Sequence, residues 1–181
     1  MLYLASASPR RRDLLQGAGI AFLAVPVDIV EEEPERGDPH EVALANARRK
    51  AEASPREPAL AADTVVALGD LLFGKPEGDA GARAMLRRLS GTTHRVVTGV
   101  ALRHAGRIEC ESVETRVTMR ALTEAEIDAY VATGEPLGKA GAYAIQQQGD
   151  RFVTRLDGPW DNVVGLPMEA VRRLLRRAGV D

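Results

Sequence analysis

The segment Ser8–Arg12, with the sequence SPRRR, combines residue types that bind phosphate. Ser8 is a typical helix N-cap and Pro9 a typical first helical residue, so we expect a helix to begin here, with the Ser8 hydroxyl accepting from its first free N–H groups. The three arginines lie in the first turn, where positive charge opposes the helix dipole. Because a helix N-terminus also binds anions, this local cost is explained if the arginines face a phosphate group. A solvated basic turn is the alternative.

Asp63 is a second candidate, because it interrupts the apolar run Ala59–Leu68, which predicts a buried strand. An unpaired buried carboxylate is costly, so this side chain needs a partner. It is either hydrogen-bonded in the core or placed at a cleft, where a carboxylate binds metal or takes a proton. We favour the cleft, because ionisable groups in such surroundings are common at functional sites.

A run of three glutamates, Glu31–Glu33, lies in a segment rich in proline, glycine and charge. Most such runs are solvated loops, but a carboxylate here is also suited to hold a divalent cation. Two lysines present a similar choice. Lys50 near the end of a predicted helix suits the helix dipole, and Lys75 between Gly74 and Pro76 suits either a surface turn or a positioned charge.

Hydrophobic periodicity and turn residues predict the elements that position these side chains. The predicted strands are Leu2–Ala5, Ala21–Val27, Ala59–Leu68, Leu71–Phe73, Arg95–Arg103, Arg107–Met119 and Arg151–Leu156. The predicted helices begin at Pro9, span His40–Ala53 and Asp79–Leu89, run from the cap Thr123 to about Thr133, and span Pro167–Arg177. Asp38 opens the second helix, and Thr123 with Glu126 forms a capping-box pattern. We expect His94 to be structural or to support the site, and Trp160 to pack in the core or at a dimer interface.

Composition limits the class of protein. The formal net charge of -2 argues against a general nucleic-acid binder, which needs a basic surface. Cys110 is the single cysteine, so no internal disulfide forms. The sequence shows neither a targeting segment nor an apolar run of membrane-spanning length. We therefore expect one cytoplasmic domain over residues 1–181, with no membrane or nucleic-acid partner.

The chain resembles the Maf family of nucleotide pyrophosphatases over nearly its whole length. Several separated motifs occur in the family's order, which is far more specific than any one of them. They are LASASPRRRDLL at Leu4–Leu15, ADT at Ala62–Thr64, GKP at Gly74–Pro76, SGTTHRVVTGV at Ser90–Val100 and EPLGKAGAYAIQ at Glu135–Gln146. Ala61, just before the second motif, replaces the family's glycine, a change that affects how closely the backbone is approached and leaves the carboxylate of Asp63 unchanged.

The resemblance implies an α/β fold with a mixed, elongated sheet flanked by helices, and two lobes around a substrate cleft. It implies that Asp63 is the catalytic base and that Asp63 and Glu31 hold a divalent cation, Mg²⁺ or Mn²⁺. Glu32 is a rival to Glu31, because the chain has three glutamates in a row. The residues expected to bind substrate are Ser8, Arg10, Arg11, Lys50, Thr64, Lys75 and Gln146. A homodimer is a further expectation from the family.

Within the family, the AYAIQ form at Ala142–Gln146 is similar to the branch that acts on dTTP and UTP. An amide donates and accepts hydrogen bonds, so Gln146 is suited to read a pyrimidine edge. Gln147 follows where the family usually has glycine, which leaves the base preference open. Two alternatives remain: a 7-methyl-GTP pyrophosphatase, or a non-enzymatic nucleotide-binding regulator of septum formation.

Overall fold

A computed structural model describes residues 1–180, and in this range seven strands form one mixed sheet with helices on both faces. The expected domain ends at residue 181, which lies outside the described residues. The strands are β1 (Leu2–Leu4), β2 (Phe22–Ala24), β3 (Ala59–Leu68), β4 (Leu71–Phe73), β5 (Thr93–His104), β6 (Arg107–Met119) and β7 (Val153–Asp157). The helices are α1 (Pro9–Gly17), α2 (Pro39–Ala53), α3 (Gly78–Leu89), α4 (Glu124–Val131), α5 (Trp160–Val164) and α6 (Met168–Ala178). Short 3-10 turns span Ala140–Ala142 and Gln148–Phe152.

The strand order is β2-β1-β3-β5-β6-β7, and β4 pairs with β3 off this path. β1 is parallel to both β2 and β3, whereas the other neighbours are antiparallel. In the parallel part, α1 lies between β1 and β2 and α2 lies between β2 and β3. In the antiparallel part, short turns join β3 to β4 and β5 to β6, whereas α3 precedes β5 and α4 precedes β7. This mixed, helix-flanked sheet confirms the predicted fold class.

One face of the sheet carries two separate apolar clusters. At one end Leu60 and Ala62 of β3 pack with α1 and α6, and at the other end Val66 packs with α3 and α4. Successive strand residues alternate between faces, so Thr64 lies on this same face between the two clusters. The expected two-part architecture thus corresponds to two cores that meet along β3.

The opposite face of the sheet is covered by α2, which approaches unusually closely. Ala47 and Ala51 of the helix meet Ala61 and Ala101 of the strands, and Ala43 meets Val65 and Val97. Gly99, the partner of Asp63 in β5, is where the two layers touch. A Cβ there would lie 2.5 Å from the carbonyl carbon and oxygen of Ala43. Small residues therefore bring the polar side chains of α2 within reach of β3.

Most predicted boundaries agree with the structure to within two residues, and two of the three predicted N-caps, Asp38 and Thr123, are confirmed. Asp38 accepts from the His40 N–H, and Thr123 and Glu126 form the reciprocal capping box. The predicted end of β2 was wrong, because the chain leaves β1 after Val25. β7 begins slightly later than predicted because a 3-10 turn precedes it, and the helix α5 was not predicted.

Trp160 does not lie in the core, because it is 45% exposed at the start of α5. Within residues 1–180, no helix has both the length and the apolar character needed to cross a membrane.

Candidate active site

The candidate site lies at a break in strand pairing along one edge of β3. β1 pairs with the first two residues of β3, and β4 pairs with its last three. Asp63 and Thr64 lie in the interval between them, where none of the described strands pairs with this edge. A cleft of about 850 Å³ opens there, which is within the size range of small-molecule sites.

Asp63 is 7% exposed, and both of its carboxylate oxygens accept hydrogen bonds. Oδ1 accepts from Lys50 Nζ at 2.7 Å, and Oδ2 accepts from Asn46 Nδ2 at 3.1 Å. Lys50 and Asn46 are four residues apart on α2, so they project from one side of the helix. Glu31 Oε1 also lies 3.0 Å from Lys50 Nζ. The ammonium group thus joins two carboxylates that are far apart in the sequence.

Glu31, rather than Glu32, faces this cluster. Its second oxygen lies 3.5 Å from Lys75 Nζ, whereas the Glu32 side chain pairs with Arg49 on an exposed side of α2. Burial opposes ionisation of Glu31, but the charges and hydrogen bonds of Lys50 and Lys75 outweigh it. Together they hold the pKa of that carboxyl below its ordinary value. Glu31 is therefore an ionised carboxylate inside the cleft at neutral pH.

Ser8 occupies the N-cap position of α1, but its side chain makes no capping hydrogen bond. The expectation that its hydroxyl accepts from the helix was therefore wrong. The chain turns toward Ser6 instead, whose hydroxyl accepts from the Ser8 N–H at 3.2 Å. Ser8, Arg10 and Arg11 line the cleft. The first N–H groups of α1 have no intrahelical partner, so the Ser8 hydroxyl and these groups are available to an anion.

Arg11 is held by acceptors from three parts of the chain. Its Nε donates to the Gly165 carbonyl at 2.8 Å, and its two terminal nitrogens donate to Ser6 Oγ at 3.3 Å and Thr64 Oγ1 at 3.2 Å. Burial lowers the pKa of Arg11, and the nearby Asp63 carboxylate acts in the opposite direction. Burial also lowers the pKa of Arg10. Arg11 thus fixes α1 against β3 and the end of α5.

Thr64 belongs to a polar layer that separates the two apolar clusters. Its hydroxyl lies 2.9 Å from that of Thr98 in β5, and Thr98 donates to the Asn162 carbonyl at 3.0 Å. The Asn162 amide donates in turn to Val96 O at 3.0 Å and to Thr115 Oγ1 at 3.1 Å. The layer therefore links the cleft to α5 through buried hydrogen bonds.

Gln146 is exposed at the cleft, in a segment that Glu135 holds in place. Glu135 Oε1 accepts from the Tyr130 hydroxyl at 2.8 Å and from the Gly149 N–H at 3.1 Å, and Oε2 accepts from the preceding N–H at 3.2 Å. The Tyr130 hydroxyl accepts from the Ala144 N–H at 3.1 Å. Residues 135–149 are thus anchored on α4 by side-chain hydrogen bonds rather than by regular structure.

Gly149 is required for this arrangement. A Cβ at this position would lie 2.5 Å from the Ala144 carbonyl oxygen and 2.8 Å from the Tyr130 hydroxyl. Real Cβ atoms do not approach other atoms this closely, so any larger residue would displace the segment.

His94 is buried and supports the same segment, as predicted. Its Nε2 lies 2.8 Å from the Tyr143 hydroxyl, and the two rings meet edge to face. Burial lowers the pKa of His94 to about 4, so the imidazole is neutral at physiological pH. The other two histidines do not form a metal site either; His40, for example, contacts Ser112 and Glu114.

All nine predicted site residues line this one cleft. They are Ser8, Arg10, Arg11, Glu31, Lys50, Asp63, Thr64, Lys75 and Gln146.

Asn46 and Lys139 also line the cleft, and sequence reasoning missed both of them. The four-residue spacing between Asn46 and Lys50 could have indicated Asn46. The EPLGKAG motif could have indicated Lys139. The Lys139 ammonium donates to the Glu135 carbonyl. Burial and the charge of Arg10 lower the pKa of Lys139, and Glu135 acts against them.

The donor set fits a hard divalent cation that also binds substrate. Glu31 and Asp63 converge on one positive group, Lys50 Nζ, and both offer oxygen ligands. No cluster of three or more Asp, Glu, His or Cys side chains suitable for metal occurs within residues 1–180. Magnesium is commonly held by only one or two carboxylates, with substrate phosphates and water completing its shell. Two carboxylates therefore suffice here only if the substrate contributes ligands.

Known proteins resemble this chain over nearly its full length. A protein from Myxococcus xanthus is 51% identical over 99% of this chain and 93% of its own length. Proteins from Anaeromyxobacter dehalogenans and Desulfitobacterium hafniense are 50% and 47% identical, over 98% and 97% of this chain and 94% and 84% of their own lengths. All three are named dTTP/UTP pyrophosphatase. The family model described as Maf-like protein matches residues 1–178, and the chain belongs to the Maf family.

Proposed function

We propose that this chain is a nucleoside triphosphate pyrophosphatase that hydrolyses dTTP and UTP to the monophosphate and diphosphate. The observation that carries the proposal is the convergence of Asp63, Glu31 and Lys50 beside the N-terminal turn of α1. This turn suits phosphate, and the carboxylates suit water and metal. The names of the relatives support the same reaction.

Asp63 is the catalytic residue in this proposal. It orients or deprotonates a water molecule that attacks the α-phosphorus, and the bond from this phosphorus to the bridging oxygen breaks as diphosphate leaves. Lys50 and Asn46 hold the carboxylate at 2.7 Å and 3.1 Å, which limits the reorganisation needed during reaction.

The cationic side chains neutralise the triphosphate. Arg10 and Arg11 lie at the start of α1, Lys50 contacts both carboxylates of the acidic pair, and Lys75 contacts Glu31. The Ser8 hydroxyl and the free N–H groups of α1 donate to phosphate oxygens. Charge that is positioned before the reaction stabilises the negative charge that develops on the leaving diphosphate.

Asp63 and Glu31 would hold the divalent cation, Mg²⁺ or Mn²⁺, which when bound neutralises phosphate charge. Lys50 meanwhile keeps the two carboxylates together, because its ammonium contacts both of them. Gln146 reads the pyrimidine edge with its amide, and Arg10 and Thr64, which line the same cleft, adjust base preference.

The direct test measures diphosphate release from canonical and modified nucleoside triphosphates, with Mg²⁺ or Mn²⁺ present. An Asp63→Asn preparation, purified in parallel, controls for contaminating phosphatases. Turnover concentrated on dTTP and UTP supports the proposal. Turnover concentrated on 7-methyl-GTP would keep the reaction and overturn the assignment of the base. Nucleotide binding without turnover on any substrate would favour the regulatory alternative.

A further inference from the structure

We propose that Asn46 is the positioning residue that fixes the acidic loop, residues 28–34, against Asp63. The inference rests on the proposed function, because it concerns the same site. The Asn46 amide is 1% exposed and makes three hydrogen bonds. Its Oδ1 accepts from the Glu32 N–H at 2.8 Å, and its Nδ2 donates to the Glu32 carbonyl at 2.9 Å and to Asp63 Oδ2 at 3.1 Å.

The two bonds to Glu32 involve main-chain atoms, so they hold the loop itself rather than one side chain. The acidic loop contains no helix or strand. Within the described residues, the main chain is next bonded at Val25 on one side and at Glu35 on the other, to β1 and β4 respectively. Between those points, Asn46 supplies the hydrogen bonds to the main chain, and both of them go to Glu32. The proposed metal ligand Glu31 directly precedes Glu32, so Asn46 also restrains its position.

The third bond connects the loop to the catalytic carboxylate. One amide group contacts both Glu32 and Asp63, so it sets the distance between the loop and β3. Lys50 Nζ lies 3.0 Å from Glu31 Oε1 and 2.7 Å from Asp63 Oδ1. It can contact both carboxylates only while the acidic loop keeps its distance from β3. A buried amide that is fully engaged in this way has no freedom to rotate, since each lost bond would leave a buried polar group unpaired.

Arg49 is the other residue of α2 that contacts Glu32, and it provides a matched control. Its guanidinium pairs with the Glu32 carboxylate, and both side chains are 47% exposed. Exposed ion pairs contribute little, and this one holds the end of a side chain rather than the main chain. The variant Arg49→Ala therefore removes a contact to the same residue without removing the main-chain clamp.

The test compares Asn46→Leu and Asn46→Ala with Arg49→Ala and the unmodified protein. Hydrogen exchange measured by NMR should show the Glu32 N–H at least roughly tenfold faster in both Asn46 variants, and unchanged in Arg49→Ala. Calorimetric titration with Mn²⁺ in the presence of a non-hydrolysable dTTP analogue, which supplies the phosphate ligands, should show an apparent affinity that falls by roughly tenfold in the Asn46 variants. With dTTP, the Mg²⁺ concentration for half-maximal rate should rise and kcat should fall, while the KM for nucleotide changes little.

Unchanged exchange at Glu32, or a loss of stability without any change in metal affinity, would overturn the proposal. If neither Asn46 variant folds, hydrogen exchange in the unmodified protein still tests the proposal. Its Glu32 N–H must exchange more slowly than those of Val30, Glu31 and Glu33, and equal rates would refute the clamp. Absence of pyrophosphatase activity in the unmodified protein, with the exchange and Mn²⁺ results as expected, would overturn the proposed function and leave the clamp supported.

Discussion

The Lys50 ammonium donates to Asp63 Oδ1 at 2.7 Å, and each of the two side chains is only 10% exposed. Removing one member of a buried ion pair leaves the other charge uncompensated, which costs about 3–5 kcal/mol. We therefore expect Lys50→Met to lower the free energy of unfolding by roughly this amount and to abolish turnover. Addition of Asp63→Asn should restore part of the stability but no activity. Urea unfolding of the two single variants and the double variant measures this coupling, and strictly additive effects would contradict it.

Asp63→Asn alone separates binding from chemistry. The amide keeps an acceptor for Lys50 and nearly the same shape, and Glu31 still pairs with Lys50, so we expect a folded protein of lower stability. The amide cannot take a proton from water, and we expect nearly all turnover to be lost while dTTP still binds. Calorimetric titration and a diphosphate assay give the two readouts. Unchanged turnover would remove Asp63 as the base.

Gly99→Ala tests the close approach of α2 to the sheet. The added methyl group would lie 2.5 Å from main-chain atoms of Ala43, so α2 must move away from β3. Overpacking of this kind costs about 1–3 kcal/mol, and the shift would also separate Lys50 from Asp63. Lower stability and lower kcat are both expected. Gly17→Ala is the control, because nothing lies within 4 Å of a Cβ there, and its stability and activity should stay close to those of the parent.

Glu135→Ala tests the anchor of residues 135–149, which carry Gln146, the residue proposed to read the base. The substitution removes three hydrogen bonds from this carboxylate, including that of the buried Tyr130 hydroxyl. We expect the KM for dTTP to rise at least roughly tenfold and the preference for dTTP over other nucleotides to weaken, as Gln146 loses its fixed position. Kinetics over a nucleotide panel measures both effects. The surface variant Glu124→Ala, which loses only an exposed pair with Arg87, should match the parent protein.

His94 makes stability depend on pH in a specific window. Its pKa is lowered to about 4 in the folded protein by burial, whereas in the unfolded chain it titrates at its ordinary value near 6.5. Between these pH values the unfolded chain binds one more proton at His94 than the folded protein does. The free energy of unfolding therefore has its full value above pH 6.5 and decreases as the pH falls toward 4. The loss amounts to about 3 kcal/mol. Urea unfolding midpoints measured from pH 4 to 7.5 should depend less on pH in His94→Gln than in the parent protein. In His104→Gln their dependence on pH should be the same as in the parent.

Sequence patterns predicted those parts of the fold that depend on local chemistry. The strand Ala59–Leu68 was predicted to the residue, because its apolar run ends at a Gly-Asp turn. The caps Asp38 and Thr123 were predicted from residue type and spacing alone, and both are confirmed. The helix α5 was missed, because it is five residues long and is stabilised by tertiary contacts of Asn162 rather than by periodicity.

The candidate site was predicted as a set of residues, but not as a network. Motif resemblance identified Asp63, Glu31 and Lys50, yet nothing in the sequence showed that one ammonium joins both carboxylates. Asn46 escaped notice because an asparagine on a helix is ordinarily a surface residue. Its role depends on the loop that folds over it, which is a tertiary relationship.

The polar layer of Thr64, Thr98 and Asn162 divides one face of the sheet into two apolar clusters. Because this layer lies between the clusters, we expect each cluster to open with its own free energy. The cleft takes its walls from both sides of this boundary. A nucleotide bound across this boundary would raise the free energy needed to open either cluster. With the site occupied, we expect the two clusters to unfold together.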